Sequence, residues 1–307
     1  MKNIYKIFLT IVLVNLVFAQ NEAGGMAGAY LRMPADARAA AMGNSATTFS
    51  NDVNANIANP ANIPSIETRQ FASSFQFLSL DRSYQSLSYG VNLPPSAGMS
   101  ISWVHAGVDD IVGRTYANEP SSTYSWSQNA FIIGFGMAVV DWLSIGVSAK
   151  VLSEQLANSS SSGFSADIGL KINPIEDLSL AIVAKDVTGK STWDISQESF
   201  VDYQTRRVDR FPLAFHFGAS YMLLDKVLFT GVYKYSAQIE PSWHLGVEGK
   251  IANMLYLRGG LDNGAVTFGL GTSYKVWQNI STRMDYAFLP GMVDQGGSHL
   301  FTWLFFF

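Results

Sequence analysis

Four histidines are the residues in this chain best suited to bind a metal ion or to move a proton. They are His105, His216, His244 and His299. None of them stands in the HExxH spacing that puts two ligands on one helical face, and the sequence has no cysteine that could add a thiolate. The sequence therefore predicts no metal site and no cofactor.

Charged side chains offer two further candidate sites. Arg283 and Asp285 stand two positions apart, so they share one face of an extended strand. This pair fits a catalytic dyad or an ion pair inside the fold, and the ion pair is favoured. Asp81 with Asp109-Asp110 fits a divalent-cation site or a solvated loop, and the loop is favoured. No G-x-S-x-G nucleophile motif occurs, so we expect a protein that is not an enzyme.

Two Gly-x-Gly pieces, at 134–136 and 269–271, lack the third glycine of a nucleotide-binding loop and fall in predicted strands. Close packing or luminal space explains them better than nucleotide binding does.

The composition is typical of a membrane-spanning β-barrel. Apolar residues make up 48% of the 307 residues and charged residues only 14%, whereas soluble domains carry about 25% charged residues. No apolar run long enough for a membrane helix follows the N-terminus. The 20 Phe, 13 Tyr and 7 Trp suit strands whose alternate residues face lipid. The net charge of −4 argues against a nucleic-acid partner.

Residues 1–19 are typical of a cleaved export signal. Lys2 and Lys6 form a positive start, residues 7–16 form an apolar core, and Val17-Phe18-Ala19 is a small-residue cleavage site. An uncleaved membrane anchor is the alternative, although the segment is short for one. We expect cleavage near Ala19 and a location in the bacterial outer membrane.

From residue 68 to residue 307, runs of 9 to 13 residues alternate apolar with small or polar side chains. In residues 211–223, for example, Phe211, Leu213, Phe215 and Phe217 share one predicted face. The runs fall near 69–78, 84–93, 97–104, 128–139, 143–154, 163–173, 178–187, 211–223, 226–237, 242–252, 254–261, 265–276, 279–288 and 298–307. This pattern predicts an all-β fold, a transmembrane antiparallel β-barrel of about 14 strands embedded in outer-membrane lipid.

Charged residues inside these runs lie on the face opposite the bulky apolar residues. They are Lys150, Asp167, Lys171, Lys185, Lys234, Glu248, Lys250, Arg258, Arg283 and Asp285. A basic residue facing lipid at mid-bilayer costs roughly 2–4 kcal/mol, so we predict that these charges face the lumen. A soluble β-sandwich would show the same period with its faces exchanged, and the export signal favours the barrel.

The chain ends in alternating aromatic residues, Phe301, Trp303, Phe305 and Phe307. This ending resembles the C-terminal signature by which bacterial outer-membrane barrels are recognised, and it implies the barrel-assembly machinery as a partner. An apolar last strand in a soluble core is the alternative.

Connections between the runs alternate between tight turns and longer loops, as in outer-membrane barrels. An even strand number puts both termini on the tight-turn side, which we expect to be periplasmic. Long outer loops are predicted at 105–127, 155–162, 188–210 and 289–297. Two of them carry apolar residues that fit either a ligand entrance or a partner-binding rim. These are Ile111, Val112, Tyr116, Tyr124, Trp126, Trp193, Ile195, Phe200 and Tyr203.

Residues 20–67 have no strand alternation and are too few for a core of their own. The alanines of Pro34 to Met42 favour a short helix, which Gly43 would end. Farther on, Asn59 precedes Pro60 and so favours extended geometry. We predict that this segment is a plug or hatch inside the barrel, with a disordered periplasmic tail as the alternative.

The order of Gly28 to Arg32, then Ala37 to Gly43 with Arg38, then Asn59-Pro60-Ala61 resembles the PorV/PorQ family of outer-membrane proteins. That family is similar in fold to the FadL long-chain fatty-acid transporters. The resemblance implies a fourteen-stranded barrel with an N-terminal hatch that carries the Asn-Pro-Ala motif. Asn56-Ile57-Ala58 departs from the pattern, since the family commonly has an aromatic residue next to the motif.

The resemblance implies two functions. PorV-like proteins are shuttles or anchors in type IX secretion, with secretion-system proteins or exported cargo as partners. The FadL branch implies passive transport of a hydrophobic ligand. A structural barrel without transport is the third possibility. The PorV/PorQ-like role is our main prediction from the sequence.

Overall fold

The computed structural model describes residues 26–196, 204–277, 279–291 and 296–307, and the predicted export signal lies outside them. Within these described ranges, sixteen strands form one sheet. They are β1 (Gln70–Phe77), β2 (Arg82–Leu93), β3 (Ala97–Arg114), β4 (Pro120–Val140), β5 (Leu143–Leu156), β6 (Ser159–Ile175), β7 (Leu178–Lys185), β8 (Lys190–Ser196), β9 (Gln204–Arg210), β10 (Ala214–Leu223), β11 (Val227–Ser236), β12 (Ser242–Ala252), β13 (Leu255–Asp262), β14 (Ala265–Trp277), β15 (Ile280–Leu289) and β16 (Ser298–Phe306).

Fourteen of these strands form a closed antiparallel barrel. Strands β1 to β7 and β10 to β16 pair in order, β7 pairs with β10, and β1 closes the barrel on β16. Strands β8 and β9 form a hairpin attached to β6. The predicted all-β fold, a closed barrel of fourteen strands, is confirmed.

Alternation along each strand produces an apolar outer face. On β5, Val147 and Val151 are 52% and 57% exposed, whereas Lys150 and Leu152 between and beside them are almost fully buried. Because successive side chains of a strand point to opposite faces, the apolar set faces outward and the other set faces the lumen.

The two ends of the barrel differ. At one end of the barrel, neighbouring strands are joined by tight turns. The first residue of β1, Gln70, and the last residue of β16, Phe306, lie there. We call this the short-turn end. The opposite end, which we call the hairpin end, carries the β3–β4 extension and the β8–β9 hairpin.

The predicted loop at 105–127 is mostly strand, which corrects the sequence-based boundary. Strand β3 continues to Arg114 and β4 begins at Pro120. Register shifts between Val108 and Ile111, and again between Val112 and Arg114, interrupt the two-residue period. Because of these irregularities, strict alternation does not predict the part of β3 beyond Val108.

The predicted loop at 188–210 also contains strands, namely β8 and β9. Phe200 and Tyr203, which were assigned to this loop, lie outside the described residues. The hairpin carries charged and polar side chains on both faces, so its sequence lacks the apolar alternation of a wall strand.

The predicted outward position of Phe211 is wrong, because this residue is only 6% exposed. Strand β10 begins three residues later, at Ala214. Before that point the backbone N–H of Phe211 donates to the Gly189 carbonyl at 2.9 Å. A side chain added at Gly28 or at Gly189 would meet the Phe211 ring, so the ring packs inward.

Residues 26–66 fill the lumen, and we call them the hatch. Its helices are α1 (Ala37–Ala41) and α2 (Ala55–Ala58), and three 3-10 turns span Ala29–Arg32, Ala46–Thr48 and Pro60–Ser65. The hatch contacts strands from β2 round to β16, which places it inside the barrel. No helix among the described residues is long and apolar enough to cross a membrane.

Candidate functional site

The Asn59-Pro60-Ala61 motif forms a self-capped turn pressed against the wall. The Asn59 Oδ1 accepts from the Ala61 N–H at 2.9 Å, and its Nδ2 donates to the Thr47 carbonyl at 3.0 Å. A Cβ at Gly146 would overlap the Pro60 carbonyl, and one at Gly169 would overlap the Asn59 side chain. Glycine at these two wall positions lets the hatch backbone touch the sheet.

Helix α1 rests on glycines of the opposite wall in a similar way, and we call each of these contacts between hatch backbone and wall glycines a glycine seat. Gly43 ends the helix with a φ of 63°, a conformation that favours glycine. A Cβ on Gly246 would lie 2.6 Å from the Met42 carbonyl oxygen, and one on Gly260 would overlap Gly43. The Thr267 hydroxyl donates to the Ala41 carbonyl at 3.1 Å, which satisfies one free carbonyl of the helix end.

Six charged side chains form a closed ring of ion pairs between the hatch and the wall. In order around the ring they are Arg38, Glu248, Arg258, Asp285, Arg283 and Asp52. The nitrogen–oxygen distances are 2.7 Å for Arg38–Glu248, 2.6 Å for Arg258–Glu248 and 2.7 Å for Arg258–Asp285.

This ring balances three positive and three negative charges inside the barrel. Arg38 and Asp52 come from the hatch, whereas the other four members lie on β12, β13 and β15. Burial alone would raise the pKa of Asp52, but the Arg283 and Arg38 guanidiniums hold that pKa below its usual range. The ring therefore joins hatch and wall through charges that depend on each other.

A second charged cluster lies on the inner face of β5 to β7. The Lys150 ammonium lies 2.7 Å from Asp167 and 2.8 Å from Asp186, and Lys185 bridges to Asp167 at 2.5 Å. Lys185 also donates to the Ile57 carbonyl of the hatch at 2.7 Å.

Three other predicted luminal lysines stand apart from both clusters. Lys171 donates to the Ser50 hydroxyl of the hatch at 2.6 Å. Lys234 is half-buried on β11 beside His216 of β10. Lys250 is exposed at the short-turn end of β12. The sequence missed the ion-pair partner Asp52, which lies in the hatch, and Asp186, which strict alternation would put on the outward face of the run at 178–187. Strand β7 ends at Lys185, and Asp186 has a φ of 58°, so its side chain does not follow the alternation.

The histidines are dispersed. His244 lies 2.9 Å from Asp262 and contacts the Gly43 carbonyl oxygen at 3.0 Å, whereas His105 bonds to Asn129. Within the described ranges, no group of three His, Asp or Glu side chains is placed to hold a metal ion.

The C-terminal aromatic residues face outward on β16. Phe301, Trp303 and Phe307 are between 44% and 48% exposed, and Phe305 is partly covered. The Trp303 indole donates to the Thr282 hydroxyl on the neighbouring strand at 2.6 Å. Their role as an assembly signal stays a prediction.

An apolar cluster lines the lumen toward the hairpin end. Its members are Tyr30, Tyr84, Val104, Ala130, Ile132, Leu152 and Phe211, all less than 7% exposed. Tyr30 belongs to the hatch, and its hydroxyl donates to the Asn129 carbonyl of the wall at 3.3 Å. These side chains form an apolar patch on the inner wall that borders the buried Lys150 and Glu154 of β5. The six-charge ring lies farther toward the short-turn end.

Asp36 gives the seating of the hatch an expected dependence on pH. It caps α1 by accepting from the Ala39 N–H at 2.9 Å. Burial, and then the nearby Asp52 carboxylate, raise the pKa of Asp36 to about 7, against the opposing effects of the Ala39 N–H hydrogen bond and of Arg283. The stability that comes from keeping this group neutral is complete below about pH 4 and is lost as the pH rises through about 7.

We therefore expect the urea concentration at the unfolding midpoint to decrease as the pH is raised from about 5 to about 8.5, because Asp36 becomes charged in a buried site. Asp36→Asn keeps a capping oxygen but cannot ionise, so this variant should show a flatter pH profile. An equally steep profile in the variant would contradict the assignment.

Comparison with known proteins gives a match in structure only. No sequence profile of a known family and no curated protein matches the chain. The Pseudomonas putida toluene transporter TodX aligns with a TM-score of 0.58 at 13% identity, over 87% of this chain and 96% of its own. A Pseudomonas aeruginosa FadL homologue aligns with a TM-score of 0.63 at 10% identity, over 88% and 97%. The CymD monoaromatic hydrocarbon channel gives 0.62 at 12%, over 89% and 97%. At these identities the likeness concerns the fold.

Proposed function

We propose that the chain is an outer-membrane transporter that lets hydrophobic small molecules pass through its lumen. The observation that carries this proposal is the buried apolar cluster at the hairpin end. The structural neighbours named as a toluene transporter and a monoaromatic hydrocarbon channel support it. Outer-membrane barrels have short periplasmic turns, so in this proposal the short-turn end faces the periplasm and the hairpin end faces the cell exterior.

The apolar cluster would line a passage for a small hydrophobic molecule once the hatch side chain Tyr30 moves away. Tyr84, Val104 and Leu152 supply apolar wall surface, while Tyr30 and Phe211 cover it from the hatch side and the rim. Burial of apolar surface gives roughly 25 cal/mol per Å², which is enough to draw such a molecule from water.

The hatch must move for a molecule to continue toward the periplasm. Its residues from Ala37 to Ala41 are all buried, so the closed arrangement fills the lumen at this level. The ion-pair ring and the glycine seats hold that arrangement in place. Transport therefore couples ligand entry to displacement of the hatch.

A PorV/PorQ-like role in type IX secretion is the second candidate. The β3–β4 extension favours it, since β2 begins opposite Val108 and residues beyond this point have no neighbouring strand on that side. Val112 and Tyr124 are 52% and 38% exposed there, and Tyr116 stands at the tip. Exposed apolar side chains on such a projecting hairpin fit a docking surface for a secretion-system protein or its cargo.

One experiment separates the two candidates. Deletion of the gene should abolish uptake of a labelled fatty acid or aromatic hydrocarbon while secretion of cargo continues. Complementation with Leu152→Gln places an amide in the apolar cluster, and burying an unpaired amide costs about 1–3 kcal/mol. We therefore expect this variant to restore less than about a tenth of the wild-type uptake. Leu152→Met keeps the site apolar and should restore uptake fully.

Loss of secretion with normal uptake would reject the transporter and favour the secretion role. Equal uptake through both Leu152 variants would reject the apolar cluster as the passage. Surface labelling would show that the variants reach the membrane in equal amounts.

A further inference from the structure

A basic patch lies on the outward face of the barrel at its hairpin end. It consists of Lys190 of β8 with Arg206 and Arg210 of β9. The strand register places Lys190 directly opposite Arg210 and beside Phe164 of β6, whose ring is 47% exposed. Residues paired across a sheet project to the same side, so the patch faces outward immediately above the apolar belt.

The patch carries an excess of positive charge. Asp194 shares this face and lies 3.3 Å from Arg206, and both side chains are largely exposed. Lys190 and Arg210 have no ion pair with any residue in the described ranges. Like charges directly opposite each other in an antiparallel pair repel, and a bound anion would remove that repulsion.

An apolar groove crosses the same outer wall below the patch. It has a volume of about 440 Å³ and spans β4 to β7 and β10. The backbones of Gly146 and Gly169 form its floor, and Val147, Ile168 and Phe215 rise around it. Ala184 is a small residue on its lining, so the groove stays open at this point.

The spacing between patch and groove matches the dimensions of a lipid. Phe164, beside Lys190, and Ile168, in the groove, are four residues apart on β6. At about 3.3 Å per residue this is roughly 13 Å. One leaflet of a bilayer has a hydrocarbon depth of roughly 15 Å, so an acyl chain hanging from the patch would reach the groove.

We propose that this wall binds a phosphate-bearing lipid of the outer leaflet. Its phosphate lies between Lys190 and Arg210, and one acyl chain lies in the groove. Charge-assisted hydrogen bonds from an ammonium and a guanidinium suit a phosphate. The inference rests on the outer-membrane orientation given under the proposed function, but it needs no opening of the lumen.

The test is native mass spectrometry of the full barrel in neutral detergent, with diphosphoryl lipid A as the probe. We expect the double variant Lys190→Gln/Arg210→Gln to bind roughly tenfold more weakly or worse, since each basic residue near an anionic lipid surface contributes about a fivefold factor. Ala184→Phe, which fills the groove, should weaken binding several-fold.

Matched controls address general effects of charge and bulk. Lys275→Gln removes a charge at the short-turn end, and Gly259→Phe adds a ring to β13, where the nearest atoms to a Cβ lie 3.9 Å away. Both should leave lipid A binding unchanged. Heat-modifiable migration on gels shows that each variant is folded.

Equal lipid A binding by the wild type and the charge variant would overturn the proposal. So would equal binding by the wild type and Ala184→Phe, or displacement of lipid A by free inorganic phosphate at a similar concentration. Uptake of apolar solutes by the same variants tests the proposed function separately, because none of these substitutions touches the lumen.

Discussion

Arg258→Met is expected to lower the free energy of unfolding by about 3–5 kcal/mol. The Arg258 side chain is 1% exposed and bridges Glu248 at 2.6 Å and Asp285 at 2.7 Å. Its removal leaves carboxylates in the lumen with one cation fewer, and a buried charge without its partner is strongly unfavourable. Urea unfolding of the barrel in phosphatidylcholine vesicles, followed by tryptophan fluorescence, measures the change.

The matched control is Arg206→Met. Arg206 also pairs with an aspartate, but its side chain is 73% exposed. An exposed ion pair contributes about 0–1 kcal/mol, so this variant should unfold almost like the wild type. If Arg258→Met were no more destabilising than the control, the ring would not hold hatch and wall together.

Gly146→Val is expected to unseat the Asn59-Pro60-Ala61 turn from the wall. Its new side chain would overlap the Pro60 carbonyl, which is backbone and cannot rotate away. Overpacking usually costs about 1–3 kcal/mol, and here the simplest relief is displacement of the hatch. We expect faster proteolysis of residues 26–66 and faster passage of apolar solutes, with the barrel itself intact.

Gly259→Val is the control for strand propensity, since the nearest atoms to a Cβ there lie 3.9 Å away. This variant should keep the hatch protected and the permeability unchanged. If the hatch of Gly146→Val resisted proteolysis as well as the hatch of the control, the turn would not be packed on Gly146.

The wall strands were predictable wherever lipid imposes a strict alternation. Strand β5 was predicted at 143–154 and spans Leu143–Leu156, because each outward residue from Ile145 to Val151 is apolar or alanine. The β8–β9 hairpin was not predictable, since it lies outside the apolar belt and nothing there requires every second side chain to be apolar.

The sequence predicts which charged wall residues belong to the candidate site, but it does not predict how they pair with the hatch. Alternation assigned Glu248, Arg258 and Asp285 to one face of their strands, and the structure places them in the lumen. Their arrangement with Arg38 and Asp52 depends on how the hatch sits among strands far apart in sequence. The family motif likewise marked Asn59 but gave no sign of the wall glycines that receive it.

The position of the hatch in the chain has a consequence for assembly. Residues 26–66 precede β1 in the chain. Helix α1 packs on β13 to β16, while the Pro60–Ser65 turn packs on β2 to β6. One short segment thus touches the earliest and the latest strands, and it reduces the entropy lost when distant edges of the sheet are brought together. The segment that blocks the finished lumen is also placed to guide β1 and β16 to each other.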